Sequence, residues 1–323
     1  EVVFGDWSSD VCSSDLADVA ELYYVNNQNQ AEIAQKMGVT RSMVSRMLTE
    51  ARKLGLVKFQ IERPYNLDND LTNIFRNKFN LKQAAIVAVP EGQPLLTSIG
   101  KIAARILIKN LHRNSILGTS WGTAISATVD EVKLPYPLSG IKVVQLLGAV
   151  GTRLHQYNGT SIVRRLEEKL DGEGIYLNAP YLVDEVQAAS MLMKNRDVHE
   201  ALAYGNRADT ALLGIGSTDS DSSPYFLAGF INESELSSIQ ASEAVGDVCG
   251  LFFDINGKMC CPEFNDHTVG IRFENLIKIP NRIGVAGGSA KIKPLVGALT
   301  GGLINVLITD SMTAKAVLDF MNE

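Results

Sequence analysis

The segment QAEIAQKMGVTRSMVSRMLT, residues 30–49, decides how the first part of the chain folds. Its apolar side chains fall at Ile33, Ala34 and Met37, then Val39, then Val44, Met47 and Leu48. That spacing gives two short helical stripes broken by one turn, a helix-turn-helix. Gly38 sits where the first helix must end in a left-handed residue, a conformation glycine enters without steric cost. Thr40 is placed to cap the second helix, its hydroxyl accepting from the backbone N–H of Ser42 or Met43. Ala34 lies where the helices meet, and a larger side chain there would push them apart. The outer face then carries Arg41, Ser42, Ser45, Arg46 and Thr49 beside the cap. These residues are polar and of a length to reach phosphates and base edges in a major groove. A surface hairpin in an ordinary α-domain is the competing reading, and the coincidence of glycine, cap, alanine and both stripes favours DNA.

Outward from this motif, 323 residues suffice for two domains. Hydrophobic residues make up 46% and charged residues 20%, the balance of a folded soluble protein. No apolar run has the length of a membrane span, so no membrane partner is expected and the cytoplasm is the expected location. The net charge of −6 conceals a division. Residues 17–63 hold Lys36, Arg41, Arg46, Arg52, Lys53, Lys58 and Arg63 against Asp18, Glu21, Glu32, Glu50 and Glu62, and so carry a small positive excess. Cys12, Cys249, Cys260 and Cys261 show neither zinc-ligand nor disulfide spacing, so reduced thiols and no metal are expected. His112, His155, His199 and His267 are scattered without an acid/base partner.

Residues 1–16, EVVFGDWSSDVCSSDL, have four acids, no base and a repeated SSD, with an apolar pattern that fits neither helix nor strand. They are similar to translated adapter sequence and are read as a non-native start. A first helix is expected over 17–25, the helix-turn-helix domain over 17–63, with a strand at LVKFQI, 56–61, and a turn-rich break from Pro64. Residues 64–80 are read as a linker, with a helix at about 71–79 that links or makes a dimer contact. Its stripe is Leu71, Ile74, Phe75 and Phe79.

Residues 81–323 alternate strands and helices. Strands are expected at 84–89, 115–118, 142–148, 174–179, 210–216, 282–287 and 305–310. Helices are expected at about 95–111, 122–132, 160–170, 185–195, 291–300 and 311–321. The strands are continuous apolar runs, as when helices cover both faces of a parallel sheet, so the class is α/β, doubly wound. Ligands in such sheets sit at the carboxyl ends of strands. Four of those ends are rich in glycine and small polar residues. They are Gly118-Thr119-Ser120-Trp121-Gly122-Thr123, Gly148-Ala149-Val150-Gly151, Gly214-Ile215-Gly216-Ser217 and Ala286-Gly287-Gly288-Ser289-Ala290-Lys291. Backbone N–H groups, hydroxyls and the Lys291 charge suit a phosphorylated small molecule. Tight turns alone would explain one such loop; four at one edge argue for a site. Walker and dinucleotide spacings are absent, so no nucleotide and no cofactor is expected. Trp121 either packs or lines the pocket. Asp247 and Asp254 stand beside turn glycines, placed to accept from sugar hydroxyls or simply to form turns.

Taken together, the helix-turn-helix, GTSWGT (118–123), VVQLLGAVG (143–151), GDVCGLFFDINGK (246–258) and AGGSAKIKPLVGALTGGLINVLITD (286–310) resemble the SorC family of sugar-responsive bacterial transcriptional regulators. The resemblance covers about residues 17–323. It implies an effector domain similar to the Rossmann-like fold of sugar-phosphate isomerases and deaminases. It also implies a homotetramer whose operator affinity changes with a phosphorylated sugar. By that resemblance Gly118, Thr119, Ser120 and Lys291 contact phosphate and Asp247 or Asp254 faces the sugar. Some members have a lysine in the loop occupied here by QLLGA, and Leu147 offers no amine for a Schiff base. Relatives often have arginine where Leu251 stands. The expected function is therefore a ligand-controlled operator-binding regulator, working with DNA, the effector and further copies of itself as a dimer or tetramer. The alternative is a sugar-phosphate isomerase or deaminase with an attached reader. That chemistry needs a general base and an acid, and no His or Glu stands between Gly214 and Asp221 to complete the pair.

Overall fold

A computed structural model describes residues 12–26, 28–57, 67–135, 137–149, 157–227 and 229–322. The chain divides into two compact units, Glu1–Pro64 and Tyr65–Glu323. Among the described residues no helix is long and apolar enough to cross a membrane.

The first unit consists of α1 (Ser13–Tyr24), α2 (Gln30–Met37) and α3 (Arg41–Lys53). Ile33, Val44 and Ala51 are fully buried and close a small core with Val19, Ala20, Met47 and Leu48. Gly38 ends α2 at φ 67° and ψ 28°, the left-handed cap expected of it. Thr40 Oγ1 accepts from the Met43 N–H at 3.3 Å and starts α3. A further device was not read from the sequence. Asn29 Oδ1 accepts from the N–H groups of Ala31 and Glu32, while Glu32 Oε2 accepts from the Asn29 N–H, which makes a reciprocal capping box on α2. The first helix begins at Ser13 and not at Ala17. Leu16 is buried against Val19 and Ile33, so the apolar contact extends the helix into the segment expected to have no pattern. Leu56 and Val57 form bends, and 58–61, the rest of the strand expected there, lie outside the described residues, as does Pro64. Thr40→Ala is expected to lower the stability of this unit by about 1 kcal/mol, the usual worth of an N-cap side chain, read as a shift of the urea midpoint followed by helical circular dichroism.

The second unit opens with α4 (Asn69–Lys78), β1 (Gln83–Val87), α5 (Leu95–Asn110), β2 (Ile116–Thr119), α6 (Thr123–Asp130) and β3 (Lys142–Gln145). It continues through α7 (Gly159–Leu170), β4 (Glu173–Ile175), α8 (Val186–Lys194), α9 (Arg196–Gly205), β5 (Thr210–Gly214), α10 (Pro224–Leu227) and α11 (Glu233–Ala241). An antiparallel hairpin, β6 (Gly246–Val248) and β7 (Leu251–Phe253), leads to α12 (Pro262–Asn265) and α13 (Phe273–Leu276). Then follow β8 (Asn281–Val285), α14 (Ile292–Thr300), β9 (Val306–Asp310) and α15 (Ser311–Asn322).

Seven strands form one parallel sheet in the order β1-β9-β8-β5-β2-β3-β4. Both faces are covered, which is why the strands carry apolar runs without alternation. Ala85, Val87, Leu117, Val143, Leu212 and Ile308 pack on the side of α5, α6 and α7. Ala84, Ile86, Ala211, Leu213 and Leu307 pack with residues of α4, α14 and α15 on the other. The stretch expected as a linker is therefore corrected in part. α4 lies on β1, with Leu71 and Phe75 buried in the same core as Ile86 and Leu307. Ile74, expected on its apolar face, is 45% exposed. The strand expected over 174–179 pairs only at residues 173–175, and α9, α11 and the β6–β7 hairpin were not foreseen.

Candidate functional site

On the first unit, Thr40, Arg41, Ser42, Ser45, Arg46 and Thr49 are all exposed along α3, opposite the buried Val44, Met47 and Leu48. The face is partly ordered by the helix itself. Thr49 Oγ1 donates to the Ser45 carbonyl at 2.9 Å, and Arg52 Nε donates to the Leu48 carbonyl at 3.3 Å. Arg41 and Arg46 thus stand as guanidinium groups at the exposed surface of a capped helix, the geometry with which a second helix enters a major groove.

On the second unit the sheet order sets the place of the site. From β2 the chain moves outward to β3, whereas from β5 it moves the other way to β8. Between β2 and β5 the connections diverge, and ligands of open parallel sheets bind at that switch point, beyond the carboxyl ends of the strands. A cavity of about 450 Å³ lies there. Ser120 to Ala124 wall it after β2, Gly214 to Gly216 after β5, and Ala286, Gly287 and Lys291 after β8, while Asp247 and Gly250 enter from the hairpin. Gly216 is fixed by close approach: its N–H donates to the Asp247 carbonyl at 2.9 Å, and a Cβ would coincide with the Asp247 carboxylate.

Asp247 and Lys291 are the charged residues of this wall. Asp247 is 4% exposed. Its Oδ2 accepts from the Tyr225 hydroxyl at 2.8 Å and from the Gly250 N–H at 3.1 Å, while Oδ1 is buried without a partner. Burial pushes the Asp247 carboxyl up; the Tyr225 hydrogen bond, the Lys291 charge and the Gly250 N–H oppose it. Burial likewise pulls the Lys291 ammonium down, with Asp247 opposing. Tyr225 is held by rings, stacked on Tyr181 at 5.3 Å and 24° and edge-on to Trp121 at 5.3 Å and 84°. Burial, reinforced by the Asp247 charge, raises its hydroxyl well above the ordinary value. Trp121 Nε1 and Ser222 Oγ are also buried without partners at this wall. Buried polar atoms are normally paired, so three orphans among the residues of one cavity wall stand out. They offer an acceptor, a donor and a hydroxyl beside a cation, a set suited to a hydroxylated anion.

The comparisons with known proteins agree with this geometry. Residues 63–319 match a family model described as "Putative sugar-binding domain", and residues 16–53 match sigma-70, region 4. The deoxyribonucleoside regulator of Bacillus subtilis is 31% identical over 305 residues, covering 94% of this chain and 96% of that protein. The chain belongs to the SorC family of sugar-binding transcriptional regulators. The sorbitol operon regulator of Klebsiella pneumoniae is 29% identical over 307 residues, with 94% and 97% covered. The crystal structure of full-length SorC from Klebsiella pneumoniae superimposes with a TM-score of 0.80 at 28% identity, covering 94% of this chain and 97% of that one. As a SorC-family member the chain is a transcriptional regulator with a DNA-binding helix-turn-helix and a sugar-binding domain.

Within this SorC-family fold the expected effector residues separate into two groups. Ser120, Gly216, Asp247 and Lys291 meet at the cavity. Gly118, Thr119, Gly148 and Asp254 do not line it. Gly118 is an interior strand residue pressed on the Leu146 side chain. Thr119 is fully buried, its hydroxyl donating to the Ser120 carbonyl at 2.9 Å. Gly148 lies against the Pro180 carbonyl, and its N–H donates to the Val269 carbonyl at 2.8 Å. Asp254 Oδ1 accepts from the N–H groups of Asn256 and Lys258 at 2.9 Å each, which makes it the turn former of the two acids. Val150 and Gly151 of the second loop lie outside the described residues. Trp121 both packs and lines the cavity. Sequence reasoning passed over Tyr225 and Ser222; the one signal was the polar run TDSDSSPY after a strand at the sheet's centre.

Proposed function

We propose that this regulator's grip on operator DNA is set by a phosphorylated sugar bound in the cavity at the β2–β5 switch point. The observation that carries the reading is that Lys291 and Asp247, whose charges act on each other, line one cavity with Trp121 and Ser222, and that Asp247 Oδ1, Trp121 Nε1 and Ser222 Oγ lack partners. In this reading Lys291 takes the phosphate together with the first turn of α6, whose N-terminal Gly122 brings no capping side chain. Asp247 Oδ1 accepts from a sugar hydroxyl. No histidine or glutamate lines the cavity among the described residues, and in this reading Asp247 and Lys291 serve as ligand contacts rather than as the acid/base pair of an isomerase or deaminase. Arg41 and Arg46 hold DNA phosphates, with Ser42, Ser45, Thr40 and Thr49 nearer the bases. One helix-turn-helix offers few phosphate contacts, so the working species is a homodimer or homotetramer on a two-half-site operator in the cytoplasm. The sugar phosphate acts by binding one arrangement of paired readers more tightly than the other.

The test is thermal melting with a panel of triose, pentose and hexose phosphates beside their free sugars. Deoxypentose and hexitol phosphates belong in the panel, because the relatives are named for deoxyribonucleosides and for a sorbitol operon. A ligand that binds the native state raises the melting point by mass action. One ester is expected to raise it, its free sugar to leave it unchanged, and the same ester to change operator affinity. Equal shifts with ester and free sugar would remove phosphate from the reading, and turnover of the ester at enzyme-like rates would replace regulation with catalysis. Arg46→Ala is expected to weaken operator binding and to reduce the slope of log K against log salt by about 1, the share of one lost phosphate contact. An unchanged slope in a salt titration would displace Arg46 from the DNA.

A further inference from the structure

Beyond the cavity, the segment joining β7 to α12 holds the neighbouring residues Cys260 and Cys261, both free thiols. Their sulfurs stand 3.8 Å apart. The backbone fixes this approach. The Cys260 N–H donates to the Phe252 carbonyl at 3.1 Å, the Cys260 carbonyl accepts from Asn265 Nδ2 at 2.6 Å, and Cys261 takes the left-handed conformation at φ 56° and ψ 54°. Cys261 is 4% exposed, with its Sγ 3.7 Å from the Ile239 carbonyl, and it lines a depression of about 240 Å³ bordered by Ser242, Glu263 and Phe264, the side from which a small reagent would reach it. No cluster of three Cys, His or acidic residues suited to a metal occurs among the described residues, so the pair is not part of a metal site there.

We propose that Cys260 and Cys261 form a site of reversible oxidation, in which a hydroperoxide closes the two thiols into a vicinal disulfide. The Cys261 thiol is the more acidic of the two, pulled down to about 7 by the Cys260 thiol and then by Ser242 against the effect of burial. Its hydrogen-bond role and burial hold the Cys260 thiol up. Reactivity follows the thiolate, so Cys261 attacks first. Its sulfur bonds to one peroxide oxygen, the O–O bond breaks, and the departing oxygen takes a proton and leaves as alcohol or water. The product is a Cys261 sulfenic acid. Cys260 sulfur then attacks Cys261 sulfur, the S–O bond breaks, and water leaves with the Cys260 proton. Two thiols are oxidised and one peroxide is reduced. The sulfurs need only close from 3.8 Å to the roughly 2 Å of a disulfide. Adjacent Cα atoms, about 3.8 Å apart across a trans peptide, are nearer than disulfide-linked ones usually stand, so the ring is strained and readily reduced. The Cys260 N–H is hydrogen-bonded to Phe252, whose ring stands 5.9 Å from that of Tyr225 in the same apolar cluster as Trp121, and this is the route by which closure is expected to reach the cavity wall.

The test uses the full chain carrying Cys12→Ser, which removes the exposed thiol and keeps a hydroxyl at the α1 cap. Hydrogen peroxide is the probe. The expected result is a protein lighter by two hydrogens, with the peptide spanning 260–261 protected from iodoacetamide and dithiothreitol restoring both alkylation sites. Cys260→Ser should abolish the two-hydrogen loss, and the Trp121 emission, read in a Trp7→Phe background, should shift with oxidation and return with reduction. A peptide that still takes two alkyl groups after peroxide, or a disulfide that maps to Cys249, overturns the proposal. Unmodified chain oxidised and reduced in parallel gives the same peptide readout if a variant fails to fold.

Discussion

Lys291→Met is expected to lower affinity for the phosphate ester found by melting by about 10–100-fold, since a hydrogen bond to a charged group is worth about 1.5–3 kcal/mol. Among the described residues it is the one cation of the cavity wall, so no other side chain there replaces its charge and the first turn of α6 is left to hold the phosphate alone. Methionine keeps the length of the side chain and removes the charge, which limits the effect to electrostatics. The companion change Asp247→Asn should weaken ester and free hydroxyl contacts alike, because it turns the orphaned acceptor into an amide. Isothermal titration with the ester and with inorganic phosphate separates the two. A Lys291→Met protein that binds the ester as tightly as the parent would move the phosphate elsewhere in the cavity.

Phe75→Ala is expected to cost about 3–5 kcal/mol of unfolding free energy, the range for emptying a large aromatic site in a packed core. Phe75 is fully buried on α4, 5.4 Å from the Phe79 ring, in the same core as Ile86 and Leu307. A free linker helix would tolerate the change. Ile74→Ala on the same helix serves as the control, since Ile74 is 45% exposed, and exposed substitutions usually stay within about 0.5 kcal/mol. Equal urea midpoints for the two variants would return α4 to the role of a linker.

What the sequence disclosed, and what it withheld, follows from how far each signal reaches along the chain. The reader was legible almost to the residue because its determinants are local: Gly38, Thr40 and the Ile33–Val44–Leu48 stripe lie within one window. Seven sheet strands were legible from apolar runs, since burial on both faces leaves no alternation to misread. β4 was overextended because Tyr176, Leu177 and Ala179 prolong the apolar pattern after pairing has stopped. The β6–β7 hairpin was missed because its two-residue turn is Cys249-Gly250, with Cys249 at φ 51°, where Asn or Asp would have announced it. For the site, proximity to a strand end found Ser120, Gly216 and Lys291. It could not show that Thr119 is buried in the core, or that Asp254 closes its own turn while Asp247 joins the cavity wall, because only tertiary contacts decide those. Tyr225 is separated from Asp247 by 22 residues, beyond any periodicity.

The pairing of β1 with β9, Gln83 to Val87 against Val306 to Asp310, bears on how the protein is made. The first strand of the sheet has one neighbour, and that neighbour is the last strand to leave the ribosome. Until then α4 and β1 have an unpaired edge and an uncovered apolar face, the condition that slows folding and invites aggregation. The reader has no such wait, since its core is complete by Ala51. During each round of synthesis the three helices of the helix-turn-helix unit can therefore be folded while the sheet of the sugar-binding domain is still a nascent chain.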